Sequence, residues 1–341
     1  MPKPCGEATA RSVCKAARKQ FSKLGWMFVA GTAVIYAVQF GIGMIVGLLQ
    51  PEWLTDPDSL ILLSMLPMYL IGIPILVLMV KTIPAVQPER HRMKGGQFAL
   101  AFLICYAAMY VCNIAGTLLT NMIGYLKGSP VRNELQEMIL PSNLLVIFFF
   151  TVICAPVIEE YVFRKLIVDR AIQYGQGVAI VLSGLMFGLF HGNLNQFIYT
   201  VGLGMLLAFL YVRTGNLKIT IAIHMIVNFL GGVVSTQILK LVDMDAYMEA
   251  ALSGDLQDMM AYLADHLAGW ILFAGYLFLV LGCTIAGVVL FIVALCKGRF
   301  RLEADKTVLP KGKKFATVIL NSGMIAFVVV MTGLILWQLF A

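Results

Sequence analysis

Charge is what this chain has least of. Only 13% of its 341 residues are Asp, Glu, Lys or Arg, with four histidines besides; soluble domains carry roughly 25% charged residues. With 60% hydrophobic residues and a mean hydropathy of +0.88, the shortage excludes a large soluble core and leaves a polytopic membrane protein. The seven cysteines supply no framework. Cys5 and Cys14 lie in a basic N-terminal tail, and Cys105, Cys112, Cys154, Cys283 and Cys296 lie in or at the ends of apolar runs. No structural disulfide is expected, and buried thiols act mostly as small hydrophobes. The net charge of +7 is spread over short loops, where it encodes topology rather than a nucleic-acid partner. No internal repeat, linker or low-complexity segment is visible.

What is abundant is long apolar runs. The first, Leu24–Leu49, is too long for a signal-peptide core and lacks a small-residue cleavage site, so it reads as a retained span. Further spans fall near Leu60–Val80, Phe98–Ile123, Asn143–Phe163, Gly177–His191, Phe197–Val212, Ile219–Leu239, Gly269–Cys296 and Phe315–Phe340. The expected fold is an all-α transmembrane bundle of about nine apolar helices, with a polar cavity between the central ones. Residues 1–23 form a basic cytoplasmic tail; residues 24–341 form a single membrane domain with a catalytic core at about 143–232. Gly177–His191 and Phe197–Val212 are short of the roughly 20 residues a spanning helix needs. Either they form a steep pair with overhanging ends or, the favoured reading, a polar turn, Gly192–Gln196, joins them inside the membrane, where it must be packed in protein or line a wet cavity.

The loops alternate in charge. Loop 50–59 carries Glu52, Asp56 and Asp58, and loop 240–268 carries Asp243, Asp245, Glu249, Asp255, Asp258 and Asp265. Loop 81–97 carries Lys81, Arg90, Arg92 and Lys94, and loop 297–314 is basic from Lys297 to Lys314. Positive loops stay inside. The N-terminus is therefore expected in the cytoplasm and the C-terminus outside, in the plasma membrane if the source is bacterial. Loop 240–268 interleaves apolar residues and reads equally as an amphipathic surface helix or a solvated connector.

Three apolar segments break the rule of absent charge. One ends in Glu159-Glu160-Tyr-Val-Phe-Arg164, the next in Phe187-Gly-Leu-Phe-His191, and the third holds His224-Met-Ile-Val-Asn228. An ionisable group in hydrocarbon costs roughly 2.5–3.5 kcal/mol on insertion scales, so such groups mark functional sites by default. Glu160 and Arg164 are i and i+4 and share a helix face, acid first. Glu159 points about 100° away, without a local cation, and is left to take a proton as a general base. Pro156 removes a backbone donor and frees the Val152 carbonyl. Gly184 and Gly188 form a small-residue ridge for close helix approach. Each group also has a plain reading: a charged helix end, a packing histidine, an interhelical amide bond. Together they favour a polar reaction centre in which Glu and His polarise a water and His and Asn donate to an oxyanion. No Ser or Cys nucleophile is implied. Two His and one Glu also match an open zinc site, although His-Glu-x-x-His is absent.

These three motifs, in this order on apolar helices, resemble the CPBP family, the CAAX prenyl protease and bacteriocin-processing (Abi) intramembrane proteases. The resemblance covers about residues 143–232. It implies that Glu159 activates water with His191, that His224 and Asn228 form the oxyanion site, and that Glu160 and Arg164 support Glu159. The implied activity is an intramembrane endopeptidase acting on a peptide or protein, lipidated in some members, such as a CAAX-like tail or a bacteriocin or leader peptide. The family is often labelled metalloprotease; a metal-free glutamate mechanism is preferred here because no full ligand set is visible, with zinc as the alternative. A non-catalytic immunity or scaffold protein of the same fold is the competing reading. A proton-coupled transporter is disfavoured because no inverted repeat is present.

Overall fold

In a computed structural model, which describes residues 7–302 and 309–340, every regular element among the described residues is helical. The order is α1 (Glu7–Leu49), α2 (Pro57–Lys81), α3 (Gly95–Lys127), α4 (Leu144–Tyr174), α5 (Gln176–Phe190), α6 (Leu194–Thr214), α7 (Leu217–Ser253), α8 (Leu256–Cys296) and α9 (Ser322–Phe340). Eight are long and apolar enough to cross a membrane, and α5 is a shorter ninth apolar helix. The chain is an integral membrane, all-α bundle, and the nine expected spans map onto these helices with shifted ends. Residues 1–6 of the basic tail, with Cys5, and residues 303–308 of the basic loop lie outside the described residues.

Several boundaries differ from expectation, each for a local reason. From Glu7 onward the basic tail is not separate: it forms the first turns of α1, since no Pro or Gly intervenes before Gly25. The polar turn is shorter than expected, because α6 begins at Leu194. Asn193 caps it, accepting the Gln196 amide at 2.9 Å, while its own amide donates to the Gln196 side chain at 2.6 Å. At 21 residues α6 is thus long enough to span, and only α5 is short. The acidic segment 240–268 is helical on both sides of a break. Met244–Ser253 follows a left-handed Asp243 (φ 50°), and α8 starts at Leu256 behind an Asp255 cap. Leu252, Leu256 and Met260 stay exposed there, while Tyr262 ties back to the Val242 carbonyl.

The helix ends sort onto two sides. On the side where α1 begins, Lys23 reaches Thr82 (3.0 Å), Gln20 the Arg170 carbonyl (2.8 Å) and Arg18 the Leu320 carbonyl (2.8 Å). Loop 82–94 crosses this side, its His91 amide donating to the Thr214 carbonyl at 2.9 Å. It runs so close that a Cβ on Gly215 would sit 2.5 Å from the Glu89 carbonyl oxygen. On the opposite side, the Asn143 amide donates to Asp58 (2.7 Å) and Lys127 to the Leu339 carbonyl (2.7 Å).

The main core packs α1, α2, α4, α5, α6 and α9 around Phe21, Phe28, Phe163, Phe187 and Phe327. At its centre α5 and α6 pack backbone to backbone, because Gly184 and Gly188 present no side chain. A Cβ on Gly188 would fall 3.0 Å from the Phe197 carbonyl oxygen and 3.2 Å from the Val201 nitrogen. The small-residue ridge therefore does what its spacing implies.

Candidate active site

The catalytic candidates come from α4, α5 and α7, which meet in the bundle interior. α4 is wound irregularly. Phe148–Cys154 and Glu160–Val168 are π-helical, with α-helical Ala155–Glu159 between them; such wide turns often sit at functional sites. The cause is traceable. In the wide register the Ala155 amide donates to Phe150, five residues back. The next donor should serve Thr151, but position 156 is proline and has no N–H. The Asn228 side chain fills the vacancy, donating to the Thr151 carbonyl at 2.9 Å. Proline thus orphans Thr151 rather than Val152, because the register is i+5 and not i+4.

Glu160 and Arg164 are both fully buried, and their charged atoms lie 3.1 Å apart (Oε2 to Nε). Arg164 also spreads over the Phe187 ring, 4.6 Å from its centre, and its Nη1 lies 3.4 Å from the Ser183 hydroxyl. The other Glu160 oxygen accepts from His224 Nδ1 at 3.0 Å, with the Thr220 hydroxyl alongside. A carboxylate can only accept here, so His224 carries its proton on Nδ1 and presents Nε2 away from Glu160. That Nε2 faces Glu159, 3.6 Å from Oε2. Glu159 keeps 26% of its side chain exposed, whereas Glu160 is closed off.

His191 is pinned in the same sense. It lies just past α5, and its Nδ1 donates to the Phe187 carbonyl at 2.8 Å, again leaving Nε2 free. The ring is within electrostatic reach of Glu159, His224 and Arg164. Phe187 is the hub: its ring meets His191 edge-on at 4.8 Å and His224 edge-on at 5.9 Å while backing Arg164. The turn after His191 packs against α1, α9 and the segment after α3. A Cβ on Gly192 would lie 3.8 Å from Leu334 and the Tyr36 hydroxyl, both interior to their helices, and Asn195 reaches the Arg132 carbonyl (3.1 Å).

All six residues expected from sequence are therefore drawn to one place. Glu159, His191 and His224 present free acceptor atoms; Glu160 and Arg164 hold His224 from behind. Asn228 also spends one of its two amide N–H groups on the Thr151 carbonyl. Sequence reasoning missed Ser183, Thr220 and Thr151, which carry no motif. It also missed Tyr69 and Tyr199, which lie within electrostatic reach of Glu159; the Tyr199 hydroxyl accepts from Gln196 at 3.0 Å. Among the described residues no group of three or more His, Cys, Asp or Glu is arranged to hold a metal ion.

Comparison with known proteins agrees with the motifs. Residues 141–230 match the family described as type II CAAX prenyl endopeptidase Rce1-like. The membrane-embedded CAAX protease MroQ of Staphylococcus aureus (strain USA300) is 28% identical over 162 residues, covering 45% of this chain and 62% of MroQ. The membrane protein YdiL of Bacillus subtilis (strain 168), which carries a provisional peptidase name, is 25% identical over 162 residues, covering 45% of this chain and 64% of YdiL. The match spans less than two thirds of either relative. No solved structure matches the chain significantly. With its three motifs gathered at one buried centre, the central segment of the chain is similar to CAAX-protease-like membrane peptidases on both counts.

Proposed function

We propose that the chain is an intramembrane endopeptidase in which Glu159 activates the attacking water. The observation that carries this is the asymmetry of the two glutamates: Glu160 is spent on Arg164 and His224, while Glu159 remains partly open and faces His224 Nε2. A 3.6 Å gap between two acceptors is too wide for a direct bond. A water beside that gap can donate one proton to Glu159 and the other to His191 Nε2, which leaves His224 Nε2 for the oxyanion. Glu159 takes one proton as the water oxygen bonds to the scissile carbonyl carbon. His224, when it carries a proton on Nε2, donates to the developing oxyanion. Collapse breaks the C–N bond, and the proton held by Glu159 passes to the leaving nitrogen. Asn228 acts through Glu159, by holding the wide turn of α4 on which it sits.

The substrate class follows from the setting and the relatives. A peptide must reach a centre buried among membrane helices, so a CAAX-like tail, or a bacteriocin or leader peptide carrying an apolar segment, fits best. The side where α1 begins gathers the basic loops, which supports a cytoplasmic N-terminus and an outer C-terminus.

The test is product identification. Purified chain in proteoliposomes is incubated with CAAX-like and leader peptides, and the products are read by mass spectrometry, with the Glu159→Ala variant as blank. New termini in the wild type alone support the proposal. Intact peptides throughout, or equal cutting by both proteins, reject it and favour a scaffold or immunity role. Chelator treatment and metal analysis of the same sample decide the cofactor: activity lost with a stoichiometric zinc would overturn the metal-free mechanism.

A further inference from the structure

A second site lies away from the glutamates. Between α3, α6 and α8 runs a cavity of about 490 Å³, within the roughly 300–1,000 Å³ typical of small-ligand sites. Its walls are apolar, from Ala101, Ile104, Leu206 and Leu290, and its floor reaches Cys105. Its mouth is different. Arg213, Lys297 and Arg299 line it, and among the described residues no carboxylate does.

The mouth is built, not incidental. α8 ends at Cys296, and the chain folds back through Gly298 (φ 65°) with the Arg299 amide donating to the Ala294 carbonyl at 2.8 Å. Phe300 anchors the fold-back against Phe209 (5.0 Å) and Phe291 (5.2 Å). The turn therefore holds Lys297 and Arg299 over the groove, and both are exposed. Along α3, from Gln97 at the mouth to Cys105 at the floor, the groove is roughly 12 Å deep at 1.5 Å per residue. That depth fits within one leaflet of hydrocarbon, about 15 Å.

We propose that this groove binds an anionic phospholipid of the surrounding leaflet, one acyl chain along the apolar wall and the phosphate over Arg213, Lys297 and Arg299. Charge complementarity selects this occupant: an apolar chain alone explains the walls and not the cations, and basic pockets between membrane helices hold lipid head groups.

The test uses the full chain in detergent, titrated with phosphatidylglycerol or phosphatidylcholine of matched acyl chains and read by native mass spectrometry. Wild type should prefer phosphatidylglycerol on the order of tenfold. The surface double variant Lys297→Gln/Arg299→Gln should bring the two lipids within about twofold while melting like wild type, and Ala294→Phe, which narrows the groove, should weaken both lipids. Equal binding of the two lipids by wild type, or an unchanged preference in the double variant, overturns the proposal. Displacement of the lipid by inorganic phosphate alone overturns the part played by the groove.

Discussion

Replacing Arg164 by Met removes the guanidinium buried against Glu160 while keeping an apolar stem over Phe187. Both side chains are fully inaccessible, so no water can take the place of the guanidinium. Breaking a buried ion pair from one side typically costs 3–5 kcal/mol, because the surviving charge is left uncompensated. Here Glu160 keeps its bond to His224 Nδ1 at 3.0 Å, which places the expected loss at the low end, about 3 kcal/mol. The cation–π contact adds on the order of 1 kcal/mol or less, since the Met side chain still covers the ring. The companion Glu160→Gln/Arg164→Met removes both charges and should recover most of the loss, since neutral replacements of such pairs are often tolerated. Unfolding in mixed micelles by denaturing detergent, with the single variant Glu160→Gln completing the cycle, gives all three losses and a coupling energy of at least about 2 kcal/mol. Costs that simply add, or a loss below about 1 kcal/mol for Arg164→Met, would refute the claim that the two side chains form one closed unit.

Other outcomes follow from the same geometry. Asn228→Ala should leave the Thr151 carbonyl unserved beside Pro156, costing about 1–3 kcal/mol; its turnover should fall through displacement of Glu159, and Asn228→Asp, which cannot donate, should not rescue either loss. Gly188→Ala should push α5 from α6, costing roughly 1–3 kcal/mol in a melting assay, whereas Gly282→Ala, where a Cβ meets open space, should be silent. Asp56 caps α2, and donation from the Ser59 hydroxyl and amide holds its carboxyl below the ordinary value of 3.8. A lowered folded value means that the capping contribution is present above the unfolded value and lost as pH falls through the folded one. Amide exchange at the start of α2 should therefore quicken below about pH 3.8 in wild type more than in Asp56→Asn; identical profiles would remove the cap from the account.

Much of the site was legible because membrane helices are nearly charge-free, so each polar residue in them is a signal. The Glu160–Arg164 pair followed from i, i+4 spacing, and the α5–α6 contact from Gly184 and Gly188. What was hidden is backbone register. Nothing in Phe148–Cys154 announces a π-helix, and without that register the proline at 156 points to the wrong carbonyl and the bond from Asn228 to Thr151 is invisible. The start of α6 was readable in principle, since Asn193-x-x-Gln196 is a capping pattern, but its polarity also fits a loop. The hub role of Phe187 depends on three helices meeting and has no mark in any one of them.

The most direct measurement is the turnover of Glu159→Gln against wild type in proteoliposomes, on whichever peptide the wild type cleaves. The change alters one oxygen and keeps the side chain's shape. Removing a general base typically lowers the rate by 10²–10⁴, so a fall of at least about a hundredfold with unchanged melting is expected. A variant that cleaves within a few-fold of wild type would contradict the central claim that this carboxylate activates the water.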